Sequence, residues 1–170
     1  PGLRWIIAGG ASIFEHRAFR ATFHERLREA GVDANELVTE IGVVPDDRMP
    51  SRYRGADVLL HASLREGFGL CVLEAMASGV PVVVPRGAPF HEFTDEGTAQ
   101  LVDPMDPESI AEAVKKALFD DDSRIRASVD RARGFSWQRS AERHLAAYAA
   151  ELGGASILLG ALPPPPILPR

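Results

Sequence analysis

Glu66-Gly67-Phe68-Gly69-Leu70-Cys71-Val72-Leu73-Glu74-Ala75-Met76-Ala77-Ser78-Gly79-Val80-Pro81-Val82-Val83 is the stretch whose reading decides the fold. A Gly-x-Gly turn opens an apolar helical segment over Leu70 to Ser78, and a Pro-Val-Val strand over Pro81 to Val84 follows at once. Asp57 to Ala62 reads as another strand immediately before the turn. Short, continuously apolar strands separated by helices are the pattern of a parallel sheet covered on both faces.

The same alternation extends in both directions. Trp5 to Ala8 is a short apolar run ended by Gly9-Gly10. Phe14 to Ala30 is helical in period, with Phe19, Phe23 and Leu27 at steps of four and Gly31 as a stop. Leu37 to Val44 reads as a strand, Asp46 to Gly55 as a short polar helix or turn, and Ala99 to Val102 as a fifth strand. Asp106-Pro107-Glu108 carries an N-cap, a first-turn proline and an acid at the positive helix end. Ile110, Val114, Ala117 and Leu118 form the stripe of the helix that follows. A further helix is expected over Asp122 to Arg133. Ser136 can cap a last one, with Trp137, Ala141, Leu145, Tyr148 and Leu152 on one face. With right-handed crossovers, the fold class is α/β, a doubly wound parallel sheet of Rossmann-like type. One domain is expected over residues 1–152 and a flexible, Pro-rich tail over 153–170, because Pro163 to Pro166 cannot continue a helix.

Composition excludes several classes of function. Of 170 residues, 45% are apolar and 25% charged, as in an ordinary globular domain. The net charge of -5 leaves no basic footprint, so nucleic acid is not an expected partner. A single cysteine forms no internal disulfide, which points to a reducing compartment and a cytoplasmic location. No run reaches the roughly 18 apolar residues of a membrane-spanning helix. The start at Pro1-Gly2-Leu3-Arg4 reads as a segment of a larger protein.

The chemistry concentrates at Glu66 to Glu74. In an open α/β sheet, ligands bind beyond the carboxyl ends of the strands. Gly67 and Gly69 leave room for a ligand, and the first amides of the helix point outward as an anion site. Glu74 lies about one turn into the helix, roughly 6 Å along its axis. Carboxylates on each side of such a notch accept hydrogen bonds from hydroxyls.

This segment resembles the Glu-x7-Glu signature of retaining glycosyltransferases of the GT-B fold, particularly those of family 4, and their C-terminal, donor-binding half. Ile6-Ile7-Ala8-Gly9-Gly10, Ile41-Gly42-Val43-Val44-Pro45, Gly55-Ala56-Asp57-Val58-Leu59, Leu101-Val102-Asp103-Pro104 and Phe135-Ser136-Trp137 are similar to that family's segments, in order, over residues 1–150. The resemblance implies that Glu66 contacts hydroxyls of the transferred sugar near the reaction centre. It further implies that the turn of Gly67, Phe68, Gly69 and Leu70 holds the donor's phosphates, and that Glu74 binds the ribose. Val43, Val44 and Pro45 would lie along the base. The donor would be a nucleotide-diphosphate sugar, and neither metal nor other cofactor is expected. Asp120-Asp121-Asp122, the one Asp-x-Asp match, follows a helix in a polar stretch.

Two departures from the family qualify this. An Arg and a Lys that grip the donor phosphates belong upstream of the first strand, and the acceptor-binding N-terminal domain is missing. The chain is therefore expected to have little or no transferase activity alone. The acceptor, the donor's base and sugar, and membrane association of the complete enzyme stay open.

Other residues take plainer readings. Cys71 reads as a small packed residue, His61 as a satisfied core or edge histidine, Arg65 as a surface arginine, and Glu92 as the start of a short helix. The arginines after residue 122 read as a solvated face. A GT-B-fold epimerase or phosphorylase, and a non-catalytic nucleotide-binding module, are the competing functions.

Overall fold

In the computed structural model, residues 2–9 and 17–151 are described. The chain divides into two compact units, Pro1–Asp57 and Val58–Arg170. The tail expected over 153–170, Gly10 of the glycine pair, and Phe14 and Leu152 of the expected helical faces lie outside the described residues.

The first unit contains β1 (Trp5–Ala8), α1 (Arg17–Glu29), α2 (Ala34–Leu37), β2 (Val38–Gly42), a 3-10 turn (Asp46–Arg48) and α3 (Met49–Arg54). β1 and β2 pair in parallel, from Trp5 opposite Val38 to Ala8 opposite Gly42, with a register shift between Ile7 and Ala8. The strand expected over Leu37 to Val44 is shorter at both ends. Asp33 sends the chain into α2 through bonds from the Glu36 and Leu37 amides, and Val43 is 76% exposed beyond the pairing. β1 is exposed at all its positions, unlike a central strand of a wide sheet. Two strands alone offer little face to cover.

The second unit holds β3 (Leu59–Leu60), α4 (Leu70–Ala77), β4 (Val82–Pro85), a 3-10 turn (Phe90–Glu92), β5 (Gln100–Val102), α5 (Pro107–Ala117), α6 (Asp122–Arg133) and α7 (Trp137–Glu151). Its sheet is parallel throughout, in the order β3-β4-β5. Leu59 lies opposite Val82, and Val83 opposite Gln100. β4 is central and buried at every position, as expected for an apolar strand with helices on each face. Val83 packs with Val102, Ala113 and Ala117, so α5 covers one face. Alternation sends Val82 and Val84 to the other face. They are equally buried, and α4 packs on β4 with α6 packed on α4.

The caps expected at Asp106 and Ser136 are present, and Asp121 adds a third. Asp106 accepts hydrogen bonds from the Glu108 and Ser109 amides at the start of α5. Asp121 accepts from the Arg124 amide at α6, and Ser136 Oγ from the Arg139 amide at α7. The stripe expected on α7 buries none of its described residues, with Trp137 79% and Tyr148 58% exposed. Arg124 ties α6 to the loop before β5 by donating to the carbonyls of Glu96 and Ala99. Arg131 does the same through Asp95 at 2.7 Å. These arginines hold a loop in place, which the reading of a solvated face did not anticipate.

Ser128 on α6 is buried, and its hydroxyl has no hydrogen-bond partner. A buried, unpaired hydroxyl costs free energy that an alanine does not. Ser128→Ala is therefore expected to leave stability unchanged or raise it by up to ~1 kcal/mol in urea unfolding. A loss of more than that would show that the hydroxyl is satisfied.

Candidate functional site

The site lies where β3 delivers the chain to the carboxyl edge of the second sheet. The paired strand is shorter than Asp57 to Ala62, but the His61 amide still donates to the Val83 carbonyl at 2.9 Å. The loop from Ser63 is turned back by Ser63 Oγ, which donates to the Arg65 carbonyl at 2.7 Å. Gly69 then takes φ +90, a left-handed conformation, and acts as N-cap of α4. The first backbone bonds of the helix run from the Val72 and Leu73 amides to the Gly69 carbonyl. The amides of Gly69, Leu70 and Cys71 precede that point and have no acceptor within the helix, so they form its positive end.

An aromatic cluster fixes this turn from beneath. Phe68 packs on Phe93, with ring centroids 5.3 Å apart, and on Phe135 at 6.3 Å. Phe93 meets Phe90 at 6.1 Å and Phe135 at 5.9 Å. Phe90 and Phe93 are fully buried. A short helical turn covers Phe90–Glu92, but Glu92, which is exposed, ends it and does not start it.

Glu66 stands before the turn with its carboxylate held at both oxygens. Oε1 accepts from the Gly67 amide at 2.8 Å, and Oε2 lies 3.0 Å from His61 Nε2. The Gly67 hydrogen bond, followed by the His61 contact, holds the Glu66 carboxyl below the ordinary glutamate range against the opposing effect of partial burial. Glu66 is thus an ionised acceptor at neutral pH. The Gly67 amide, expected among the phosphate donors, is occupied by this carboxylate. The remaining candidates are Phe68, whose amide also acts on the Glu66 carboxylate, Gly69 and Leu70.

Because the Gly67 amide reports directly on the Glu66 carboxyl, its proton shift should follow that titration. The expected midpoint lies below the ordinary glutamate value. Glu66 has a depressed pKa in the folded state, so its stabilising bond is present above the unfolded value and lost as pH falls through the folded one. A Gly67 titration at or above the ordinary value would contradict the geometry.

Glu74 lies on α4 and is exposed to solvent. Cys71, between the two acids, has its thiol pushed up by burial first, then by the charges of Glu66 and Glu74. Cys71 is part-buried, and its Sγ lies 3.5 Å from His61 Nδ1. Sequence reading treated His61 and Cys71 as separate packed residues; the structure joins both to Glu66. Val43, Val44 and Pro45 follow β2 in the first unit and are described with it.

The aspartates 120 to 122 serve the framework. Asp120 accepts from Gln100 Nε2 at 2.7 Å and pairs with Arg124 at 3.2 Å, and Asp121 caps α6. Among the described residues, no three His, Cys, Asp or Glu side chains gather as metal ligands, and no helix is long and apolar enough to cross a membrane.

Comparison with known proteins adds an independent line. The model of the family described as glycosyl transferases group 1 matches residues 1–132. A D-inositol 3-phosphate glycosyltransferase of Corynebacterium kroppenstedtii is 38% identical over 147 residues, covering 84% of this chain and 32% of that protein. The chain spans about a third of the length of the curated relatives it matches. Among solved structures, sucrose-phosphate synthase from Thermosynechococcus elongatus superposes with TM-score 0.74 at 24% identity, over 88% of this chain and 39% of that one. Anabaena Alr3699/HepE in complex with UDP-glucose superposes with TM-score 0.71 at 22% identity, over 89% of this chain and 42% of that one. At these identities the two structures speak for the fold: an α/β arrangement shared with GT-B glycosyltransferases.

Proposed function

The chain belongs to the glycosyl transferases group 1 family, and from that premise we propose that it supplies the donor-binding half of an enzyme transferring a sugar from a nucleotide-diphosphate sugar. The observation that carries the reading is the rim of α4. The helix starts at Gly69, ahead of its first backbone bonds, with an ionised acid before it and a second acid one turn along the helix. A diphosphate suits the amides, ribose hydroxyls suit Glu74, and hydroxyls of the transferred sugar suit Glu66. The UDP-glucose complex of the structurally similar Anabaena protein makes that donor class a natural first probe.

In the proposed reaction the bond between the anomeric carbon and the diphosphate oxygen breaks. The acceptor hydroxyl's oxygen bonds to the anomeric carbon with retention of configuration, and its O–H bond breaks as the proton passes to the departing diphosphate oxygen. The diphosphate leaves with increased negative charge, which the amides of Phe68, Gly69 and Leu70 would stabilise at fixed positions. Glu66 would orient the sugar ring so that the reacting carbon is presented to the acceptor. No residue near this rim is assigned to hold a metal.

Calorimetric titration with UDP-, GDP- and ADP-sugars tests the reading. One of the three is expected to bind, and Glu74→Ala should weaken it. Failure of all three, or binding indifferent to Glu74, would contradict it.

A further inference from the structure

We propose that His61 is the positioning residue for Glu66: a one-way hydrogen-bond relay from Cys71 through His61 fixes the Glu66 carboxylate as the acceptor for a hydroxyl of the transferred sugar. The inference rests on the reading of Glu66 as a sugar ligand and adds the group that sets its orientation.

The ring of His61 is constrained from several directions. Its backbone is tied to β4 through the Val83 carbonyl at 2.9 Å. Its ring stands edge-on to Phe90, with centroids 5.5 Å apart and planes at 71°, and Phe90 is only 1% exposed. The two ring nitrogens then meet two different partners, Glu66 Oε2 at 3.0 Å and Cys71 Sγ at 3.5 Å.

The chemistry of those partners fixes the direction of each bond. An ionised carboxylate can only accept, so His61 Nε2 carries the proton and donates to Glu66. In the neutral ring, Nδ1 is then the acceptor. Cys71 meets that need, because burial and the nearby acids keep its thiol protonated and able to donate. Glu66 thus receives the Gly67 amide at Oε1 and His61 at Oε2. The Phe68 amide also acts on this carboxylate, so of its roughly four lone-pair positions about one remains for a hydroxyl donor. Both acid and histidine keep partial exposure, 28% and 22% of their side chains, so the free position is reachable.

A relay of this kind acts on the sugar and not on the nucleotide. That separates it from a general role of His61 in packing, which would disturb the whole rim. Glutamine places its amide N–H where Nε2–H stands, whereas asparagine reaches only the Nδ1 position and cannot span to Glu66.

The test uses the chain in wild-type, His61→Gln and His61→Asn forms, titrated separately with UDP-glucose and with UDP. A 15N spectrum of the His61 ring is recorded without ligand. The expected ring state is Nε2-protonated with a bare Nδ1. His61→Gln should keep UDP-glucose affinity near that of wild type. His61→Asn should lose about tenfold, the ~1.4 kcal/mol of one hydrogen bond, and UDP should bind all three forms alike. An Nδ1-protonated ring, an asparagine variant as good as glutamine, or a parallel loss of UDP affinity would each overturn the proposal. Should wild type bind neither probe, the donor-binding reading itself falls, and the ring spectrum alone decides whether the relay exists.

Discussion

Gly69→Ala is expected to lower stability by roughly 2–4 kcal/mol, through two penalties that act at the same atom. The residue sits at φ +90, where an L side chain is strained. An added Cβ would also stand 2.8 Å from Phe90 Cε1 and 3.6 Å from Phe93 Cζ. Neither ring can retreat: both are buried, and Phe90 is packed against His61 and Phe93. The strain therefore passes into the turn and displaces the first amides of α4. Urea unfolding should show a lower midpoint at unchanged slope, and a diphosphate ligand should bind more weakly. A variant with wild-type stability would mean that the turn is less constrained than the aromatic cluster implies. Gly67→Ala is the control, because no atom lies within 4 Å of its Cβ position.

The second large effect separates the two acids by what each touches. Glu74→Ala is expected to weaken UDP and UDP-glucose together, because the ribose is common to both. Glu66→Ala should weaken UDP-glucose while sparing UDP. A hydrogen bond to a charged group is worth about 1.5–3 kcal/mol, so each loss should fall between about tenfold and a hundredfold. Both acids are solvent-exposed, which keeps their removal from opening the core. Equal effects of both substitutions on both ligands would remove the assignment of one acid to the sugar and the other to the ribose.

These expectations show which parts of the site could be read from the chain and which could not. The helix start at Leu70 was legible because Gly67-Phe68-Gly69 is a local signal, and the caps at Asp106 and Ser136 are local as well. Strand limits were less so: Asp57 to Ala62 carries strand composition, but only Leu59–Leu60 belongs to the ladder. The cluster of Phe68, Phe90, Phe93 and Phe135 joins residues far apart in sequence, and no periodicity announces it. The His61, Glu66 and Cys71 contacts depend on the path of a loop, where neither helical nor strand spacing applies. The same limit explains Gly67. Its amide looked available for phosphate until the fold turned the Glu66 carboxylate onto it.

The central claim is that the start of α4 binds a diphosphate. Titrating 15N-labelled chain with UDP-glucose and following every amide tests it most directly. The account predicts saturating shifts that are largest at Phe68, Gly69, Leu70 and Cys71, with Gly67 moving less because its N–H already has a partner. Saturation centred on other residues, or no shift at these amides across the titration, would contradict it.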